Sequence, residues 1–244
     1  MLPISDDNRG RRTLPYVTWA LIAINVIVYA YQAFLDPRDH AEFLNQWATI
    51  PEEIMAGEAF YTLLTCAFLH GSWFHLGSNM LFLWIFGDNV EDVLGHVKYV
   101  LFYVACAIGA SVAQVLISQS SEVPMVGASG AVSGLLAAYI LLFPNGRIRT
   151  LITLGVFITF TLLPAWIMIG YWFLLQLISG VLSLNEVGSQ GGGVAFFAHI
   201  GGFIVGLILV LPLRNKDRQR NQISARNEAS DGAQTFRLGG GGRR

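Results

Sequence analysis

Long apolar runs separated by short polar stretches dominate the pattern of hydrophobic and polar positions along this chain. A helix needs about 17 to 25 predominantly apolar residues to cross a bilayer, and six runs have roughly that length. We expect these helices at 16–34, 73–90, 99–118, 127–143, 164–183 and 194–212. The pattern therefore predicts an all-α membrane protein, folded as a bundle of six transmembrane helices.

The fifth helix requires a choice, because the uncharged stretch 150–185 is too long for one crossing and barely long enough for two. Pro164 divides it. With a single crossing, one side of the membrane holds all but one of the 15 Lys and Arg residues, and only Arg38 lies on the other. Basic loops stay in the cytoplasm. We therefore expect one crossing near 164–183, residues 151–163 at the inner face or buried against neighbouring helices, and both termini in the cytoplasm.

Composition supports a membrane protein and excludes several other classes. The chain is 54% hydrophobic and 13% charged, whereas soluble domains carry about 25% charged residues. A net charge of −1 gives no basis for a nucleic-acid partner. Cys66 and Cys106 lack metal or redox spacing, which argues against a disulfide framework. The N-terminus has neither a cleavable-signal nor a transit-peptide pattern, so we expect a bacterial-type plasma membrane.

Polarity divides the chain into three parts. Residues 1–15 form a cytoplasmic segment, 16–212 form the helical domain, and 213–244 form a basic tail without apolar periodicity. We expect the tail to be disordered and solvated, with contact between its arginines and anionic lipid as an alternative. The external loop 35–72 is acidic and then apolar, which favours partial burial in the membrane interface.

Four polar residues lie near the outer ends of the second, fourth and sixth predicted helices. They are His75, Asn79, Ser129 and His199. At 1.5 Å per residue they lie roughly 3 to 9 Å below the outer ends of their helices. His75 and Asn79 are four residues apart and share one helix face. Polar groups are costly to bury in a membrane, so their common depth indicates a joint function.

Small residues indicate which helices touch. Gly130 and Gly134 are four apart on the Ser129 helix, as are Gly202 and Gly206 on the helix of the histidine. Paired small residues at this spacing let two helix backbones approach closely. The histidine at 199 shares the glycine stripe of its own helix. Close packing would therefore bring an imidazole within reach of the Ser129 hydroxyl.

A hydroxyl beside an imidazole is the minimum for nucleophilic catalysis. Ser129 would attack, and His199 would act first as general base and then as general acid. The Asn79 amide, a His75 ring N–H and the Ser129 backbone N–H are the candidate oxyanion donors. We expect a dyad rather than a triad because no carboxylate lies near His199 in the sequence.

Simpler interpretations apply to each residue alone. A single serine or asparagine in a membrane helix usually serves packing. We expect Ser133 to serve packing and Glu91 to hold the 91–98 loop. We expect His70 to form a hydrogen bond at the membrane interface. Zinc bound by three histidines is a weaker alternative, because their spacing fits no zinc motif and no HExxH occurs. We expect neither a metal nor a cofactor.

Four motifs, in this order along the chain, resemble those of the rhomboid intramembrane serine proteases. They are HGSWFHLGSNM, GDNVEDVLG, GASG and AHIGGFIVG. The likeness runs from about residue 15 to 212. It implies a six-helix core, a water-filled cavity open to the outside, and cleavage of single-pass membrane proteins in or near their spans.

By this resemblance, Ser129 is the nucleophile, His199 is its base, and His75 and Asn79 occupy the oxyanion-hole positions. Gly127 opens the GASG motif and supports the packing there. The chain departs from the family at Phe60-Tyr61, where many members have Trp-Arg.

A second departure concerns the support of the catalytic histidine. Some members stack a tyrosine on this histidine from the position that Ser133 occupies here. We therefore expect His199 to be held by another contact. The glycine-rich loop 184–193 is expected to cap the cavity and gate substrate entry, or else to be a simple connector.

Two other functions use the same residues. A non-catalytic rhomboid-like protein would hold membrane helices for trafficking or quality control, although such relatives typically lack the serine or the histidine. A small transporter or channel would place polar residues through the full depth of the bilayer. Here they gather at one end, which favours a protease whose partners are the lipid bilayer and single-pass membrane proteins.

Overall fold

An apolar helix lies at each of the six predicted positions. A computed structural model describes residues 1–154, 157–183 and 195–239 of the chain. The apolar helices are α1 (Tyr16–Ala33), α5 (Trp73–Leu94), α6 (His96–Ile117), α7 (Ser129–Leu142), α8 (Ala165–Ser183) and α9 (Phe196–Leu213). The external loop holds the short helices α2 (Pro37–Trp47), α3 (Pro51–Met55) and α4 (Thr62–Thr65), followed by a 3-10 turn at Cys66–Phe68.

Within the described residues, four of these helices are long and apolar enough to cross a membrane. They are Tyr16–Ala33, His96–Ile117, Ala165–Leu182 and Phe196–Leu213. The chain is therefore an integral membrane protein. Of the remaining two, α7 has only 14 residues, and α5 carries Asp88, Glu91 and Asp92 near its end. The count of six spans stays a prediction.

The prediction of an all-α fold is wrong in one respect, because the chain also forms a three-stranded antiparallel sheet. Its strands are β1 (Leu2–Ser5), β2 (Arg147–Leu154) and β3 (Phe157–Pro164), in the order β1-β2-β3. Residues 151–163, which we expected as a segment at the inner face or buried against helices, supply much of the β2–β3 hairpin. Exposed and buried residues alternate along the first half of β2, where Arg147 and Arg149 are exposed while Ile148 and Thr150 are buried, and this period of two is typical of a strand.

The expected disorder of the basic tail is also wrong for residues 216–239, which form helix α10 (Lys216–Gly239). Its first turns dock on the end of α5. The Gln222 amide donates to the Asp92 carboxylate at 2.7 Å, and Arg226 donates to the Asn89 side chain at 2.9 Å. These contacts are polar, so a search for apolar periodicity does not reveal them.

The C-terminal end of α5 carries buried carboxylates that hold neighbouring segments of the bundle together. Glu91 is fully buried and accepts the backbone N–H groups of Val17 and Thr18 at 2.9 and 2.8 Å. These donors lie in the first turn of α1, where helix N–H groups lack intrahelical partners. Glu91 also pairs with His96 at 2.6 Å. It therefore caps α1 as well as holding the loop between α5 and α6.

Close backbone contact joins α7 to α9. A Cβ atom added to Gly202 would overlap the carbonyl oxygen of Gly130, and one added to Gly206 would overlap that of Gly134. Likewise, a Cβ at Gly134 would lie 2.9 Å from the Gly202 carbonyl oxygen. Interlocked small residues of this kind allow an approach that larger side chains prevent.

We predict that Gly202→Ala will destabilise the protein by about 3 kcal/mol, since overpacking against a backbone carbonyl has no flexible side chain to relieve it. Thermal unfolding in detergent measures the effect. Gly170→Ala in α8 is the matched control, because an added Cβ there meets nothing within 4 Å. Equal unfolding temperatures for the two variants would contradict the packing described here.

Candidate active site

A short polar contact between two apolar helices joins Ser129 to His199. Ser129 is the first residue of α7, and His199 lies in the first turn of α9. The imidazole Nε2 lies 2.7 Å from the serine Oγ. The histidine is 7% exposed and the serine is half-buried. The two residues therefore meet at hydrogen-bond distance in a site largely screened from solvent.

The other imidazole nitrogen contacts Gln176 on α8. Its side-chain Oε1 lies 2.7 Å from His199 Nδ1. An amide oxygen can only accept, so Nδ1 carries the proton and Nε2 presents its lone pair to the Ser129 hydroxyl. The ring of Trp172, one turn earlier on α8, lies 5.7 Å from the imidazole, centroid to centroid. Gln176 and Trp172 of α8 therefore hold the imidazole of His199 in place.

Sequence reasoning missed Gln176 although a signal for it was present. A glutamine amid the leucines of an apolar membrane helix needs a polar partner, by the same reasoning that singled out His75 and Asn79. Gln114 on α6 was missed in the same way. Its Oε1 accepts the Ala198 backbone N–H at 3.2 Å and so helps to fix the start of α9.

His75 faces the space beside Ser129 from the start of α5. Its Nδ1 lies 3.5 Å from the Gly71 backbone nitrogen, which leaves Nε2 as the protonated nitrogen. A Cβ placed on Gly127 would lie 2.8 Å from that Nε2 and 3.6 Å from Ser129 Oγ. Gly127 has φ +128°, a conformation that other residues rarely adopt. Glycine at this position therefore keeps open the space between the imidazole edge and the hydroxyl.

Asn79 lies one turn after His75 on the same face of α5. It is 6% exposed, and its Nδ2 has no hydrogen-bond partner within the described residues. An unpaired buried donor costs about 1–3 kcal/mol, so such groups are rare outside functional sites. The Ser129 backbone N–H is a further free donor by position, since it lies in the first turn of α7. The site thus has donors available for an anion.

A small cavity adjoins the serine. Its wall includes Cys66, Ala67, Ser111 and Gly127, together with Ser129 itself. The Gly127 backbone N–H donates to the Cys66 carbonyl at 2.9 Å and ties the start of α7 to the external loop. Most of the residues that line this cavity have short side chains, and Met125 has the longest.

Comparison with known proteins places these residues in a family. A model of the Rhomboid domain matches residues 57–216, about two thirds of the chain. The chain belongs to the rhomboid family. The match contains α5, α7 and α9 and therefore every residue of the candidate site, and it confirms the resemblance drawn from the motifs.

Individual rhomboid proteins align over most of this chain. Rhomboid-like protein 11, chloroplastic, of Arabidopsis thaliana is 29% identical, over 84% of this chain and 68% of its own length. Rhomboid protein 1, mitochondrial, of Saccharomyces cerevisiae is 26% identical, over 84% of this chain and 56% of its own. Rhomboid protease GluP of Bacillus subtilis is 29% identical, over 81% of this chain and 36% of its own.

These relatives are longer proteins, and the chain spans about one third to two thirds of their length. The names of the first two place them in a chloroplast and a mitochondrion. The expectation of a bacterial-type plasma membrane therefore gains no support from them, whereas location in a membrane is supported by the helices themselves.

Ser133 and Glu91 lie outside the immediate site of this rhomboid. The Ser133 hydroxyl is buried and donates to the Ser129 carbonyl at 2.6 Å, a bond within one turn of α7. Glu91 lies at the opposite end of α5 from His75. Among the described residues no group of three His, Cys, Asp or Glu is placed to hold a metal. The loop 184–193, with its expected gating role, lies outside the described residues.

The structure also shows the surroundings of Phe60-Tyr61, where the chain departs from the family pattern. Phe60 and Tyr61 are both more than half exposed, and the Tyr61 hydroxyl donates to the Gln46 carbonyl at 2.9 Å. Tyr61 also packs edge-on against Trp47 at 5.9 Å. An aromatic side chain and one hydrogen bond therefore link the apolar end of the loop to α2.

His70 differs from its expected role, because it is fully buried and its ring makes no hydrogen bond within the described residues. Its backbone is held instead by Gln32, which accepts from the His70 N–H at 3.2 Å and donates to its carbonyl at 2.7 Å. The ring packs 5.1 Å from that of His75. Burial, with a smaller contribution from His75, lowers the pKa of His70 from 6.5 to about 4.

We predict that His70 makes the protein less stable as the pH falls from about 6.5 to 4. In this range the unfolded chain binds a proton that the folded state excludes, so stability decreases on acidification, by up to about 3 kcal/mol. His70→Phe keeps a ring of similar shape without the titration. The free energy of unfolding, measured across this pH range, will decrease less steeply with falling pH in the variant than in wild type. Parallel curves for the two proteins would contradict the prediction.

Proposed function

We propose that this rhomboid is an intramembrane serine endopeptidase that cleaves single-pass membrane proteins within or near their transmembrane segments. The 2.7 Å contact between His199 Nε2 and Ser129 Oγ carries the proposal. A serine hydroxyl becomes a useful nucleophile only when a neighbouring base accepts its proton. The Gln176 contact supports the proposal, because it leaves Nε2 free to be that base.

In the first half of the reaction, Ser129 Oγ attacks the carbonyl carbon of the scissile bond and its proton passes to His199 Nε2. The resulting imidazolium keeps its Nδ1–H donated to Gln176. Negative charge develops on the carbonyl oxygen, where the Asn79 amide, the His75 Nε2–H and the Ser129 N–H would stabilise it. His199 then protonates the leaving amine, which departs and leaves an acyl-enzyme.

In the second half, a water molecule takes the place of the amine. His199 accepts a proton from the water as it attacks the ester carbonyl, and the same donors stabilise the second oxyanion. The proton then returns to Ser129 Oγ as the carboxylic acid product leaves. A neutral amide holds the histidine in place of the carboxylate of a triad, so the pair acts as a dyad.

The position of the dyad limits the substrate. Ser129 and His199 each lie in the first turn of an apolar helix, so the reaction takes place near one membrane face rather than at mid-depth. A peptide bond within an intact helix is shielded by the helix hydrogen bonds. We therefore propose substrates whose spans contain Gly, Pro or other helix-weakening residues near that face.

Six crossings complete the proposal, with α5 and α7 spanning the membrane alongside α1, α6, α8 and α9. Both termini and the sheet then lie on the cytoplasmic side, and the dyad opens toward the other side. The distribution of Lys and Arg supports this orientation.

We predict that a fluorophosphonate will label the purified protein at Ser129. Ser129→Ala will abolish labelling, and His199→Ala will slow it by about 100-fold or more, the usual contribution of a general base. Ser133→Ala is the matched control one turn along α7 and will keep labelling within a few-fold of wild type. Gel fluorescence gives the rates. Wild-type labelling no higher than that of Ser129→Ala would instead favour a non-catalytic helix-binding rhomboid.

We predict that Gln176 controls the pH dependence of the same reaction. Gln176→Glu places a carboxylate beside the imidazole and favours its protonated form, which cannot act as base, so the acidic limb of the pH–rate profile moves to higher pH. Gln176→Ala will lower the rate at the plateau by about tenfold, because the productive tautomer is no longer fixed. Leu175→Ala, a lipid-facing neighbour, is the control. Unchanged profiles in both Gln176 variants would contradict this role.

A further inference from the structure

The β1–β2–β3 sheet has one buried and one exposed face. Residues directly opposite in an antiparallel pair point to the same side. Ile148 and Thr150 on β2 point toward the helices and are fully buried. On the other side, β2 presents Arg147 and Arg149, and β3 presents Phe160 and Leu162.

The exposed face is apolar where a water-facing sheet would be polar. Ile158, Phe160 and Leu162 along β3 are 66%, 57% and 58% exposed. On β1, Leu2 is 42% exposed and pairs with Leu151, which in turn pairs with Phe160. An apolar row therefore crosses all three strands, and such patches mark contact with a partner or a membrane.

This face is continuous with a membrane span. β3 ends at Pro164 and α8 begins at the next residue, Ala165. Because the apolar stretch of α8 starts at that residue, the end of β3 lies at a membrane surface. Trp166 in the first turn of α8 is 58% exposed, and tryptophan is enriched at membrane–water interfaces. The sheet follows the C-terminus of α7, so this surface is the one away from Ser129.

Two cations lie within the apolar face. Arg147 is opposite Pro164 and Arg149 is opposite Leu162, and both arginines are exposed. The Arg149 guanidinium lies 5.4 Å from the Phe160 ring centroid. Neither arginine forms an ion pair with any acidic residue that the structure describes. Guanidinium groups above an apolar surface match the arrangement of lipid phosphates above acyl chains.

We propose that the exposed face of the β1–β2–β3 sheet lies in the headgroup region of the adjacent leaflet, where Arg147 and Arg149 bind the phosphates of anionic phospholipids. The apolar row of β3 enters the boundary between headgroups and acyl chains. A lipid is favoured over a protein partner because the face continues without a break into the lipid-facing surface of α8. The sheet would thereby anchor the loop between α7 and α8.

The first test measures the depth of this face in a bilayer. A fluorophore is attached at Leu162→Cys and, as control, at Asp217→Cys, an exposed position of α10 at the same end of the bundle. Labelled wild type corrects for the two buried native cysteines. In vesicles with nitroxides on the lipid headgroup, the label at 162 will be quenched more strongly than the label at 217. Equal quenching, or disulfide cross-linking of 162 between two copies, would overturn the proposal.

The second test measures lipid selectivity in vesicles of phosphatidylcholine and phosphatidylglycerol. Spin-labelled lipids report the preference of the full chain for the anionic species. Arg147→Gln with Arg149→Gln will lower this preference by about fivefold for each arginine near the surface. The control variant, Lys216→Gln with Arg220→Gln, removes the same charge from exposed positions of α10. It will lower the preference for the anionic lipid less than the sheet variant does.

A third variant separates loss of binding from misfolding. Arg147→Lys with Arg149→Lys retains the charge, so it will keep most of the preference while giving up the bidentate contact. Circular dichroism will check that all three double variants retain wild-type secondary structure. If the sheet and α10 variants lose the same amount of preference for the anionic lipid, net charge alone explains that preference. This result would contradict the proposal.

Discussion

The backbone contact between α7 and α9 is the constraint on which the candidate site depends. Gly202 and Gly206 face the carbonyl oxygens of Gly130 and Gly134 so closely that a single methyl group would overlap them. Ser129 precedes the first of these glycines, and His199 lies three residues before Gly202. Because the helix backbones touch, a short serine side chain and an imidazole can meet at 2.7 Å without distortion of either helix.

The remaining polar groups of the bundle are divided between its two ends. At the serine end, donors such as Asn79 Nδ2 are buried without partners among the described residues, which suits a charge that exists only during a reaction. At the other end, Glu91 and Asp92 are buried and well satisfied by backbone N–H groups and by side chains of α1 and α10. Fully paired carboxylates rigidify a structure. The Glu91 end of the bundle therefore holds the helices together, while the serine end keeps its donors free.

Much of this arrangement was predictable from the sequence because it follows from periodicity and from the cost of burying polar groups. Apolar runs placed all six helices, and the spacing of Gly130, Gly134, Gly202 and Gly206 indicated which helices touch. Ser129 and His199 followed from that contact.

Three features were not predicted: the partner of His199, the docking of α10 and the sheet. The hydrogen bond from His199 to Gln176 depends on the orientation of α8 about its own axis. The docking of α10 depends on amide and guanidinium groups such as Gln222 and Arg226, which also suit a solvated tail. The sheet was missed because 151–163 was judged by its lack of charge, and the alternating Arg147, Ile148, Arg149 and Thr150 that precede it were not considered as the start of a strand.

The most direct measurement compares the rate of phosphonylation of Ser129 in Gly202→Ala and Gly170→Ala, below the unfolding temperature of both. Gly202→Ala changes no reacting group and acts only by separating α7 from α9. If the glycine contact places the serine against the histidine, this variant reacts far more slowly than wild type, and Gly170→Ala reacts at the wild-type rate. A folded Gly202→Ala protein that reacts as fast as wild type would contradict the account.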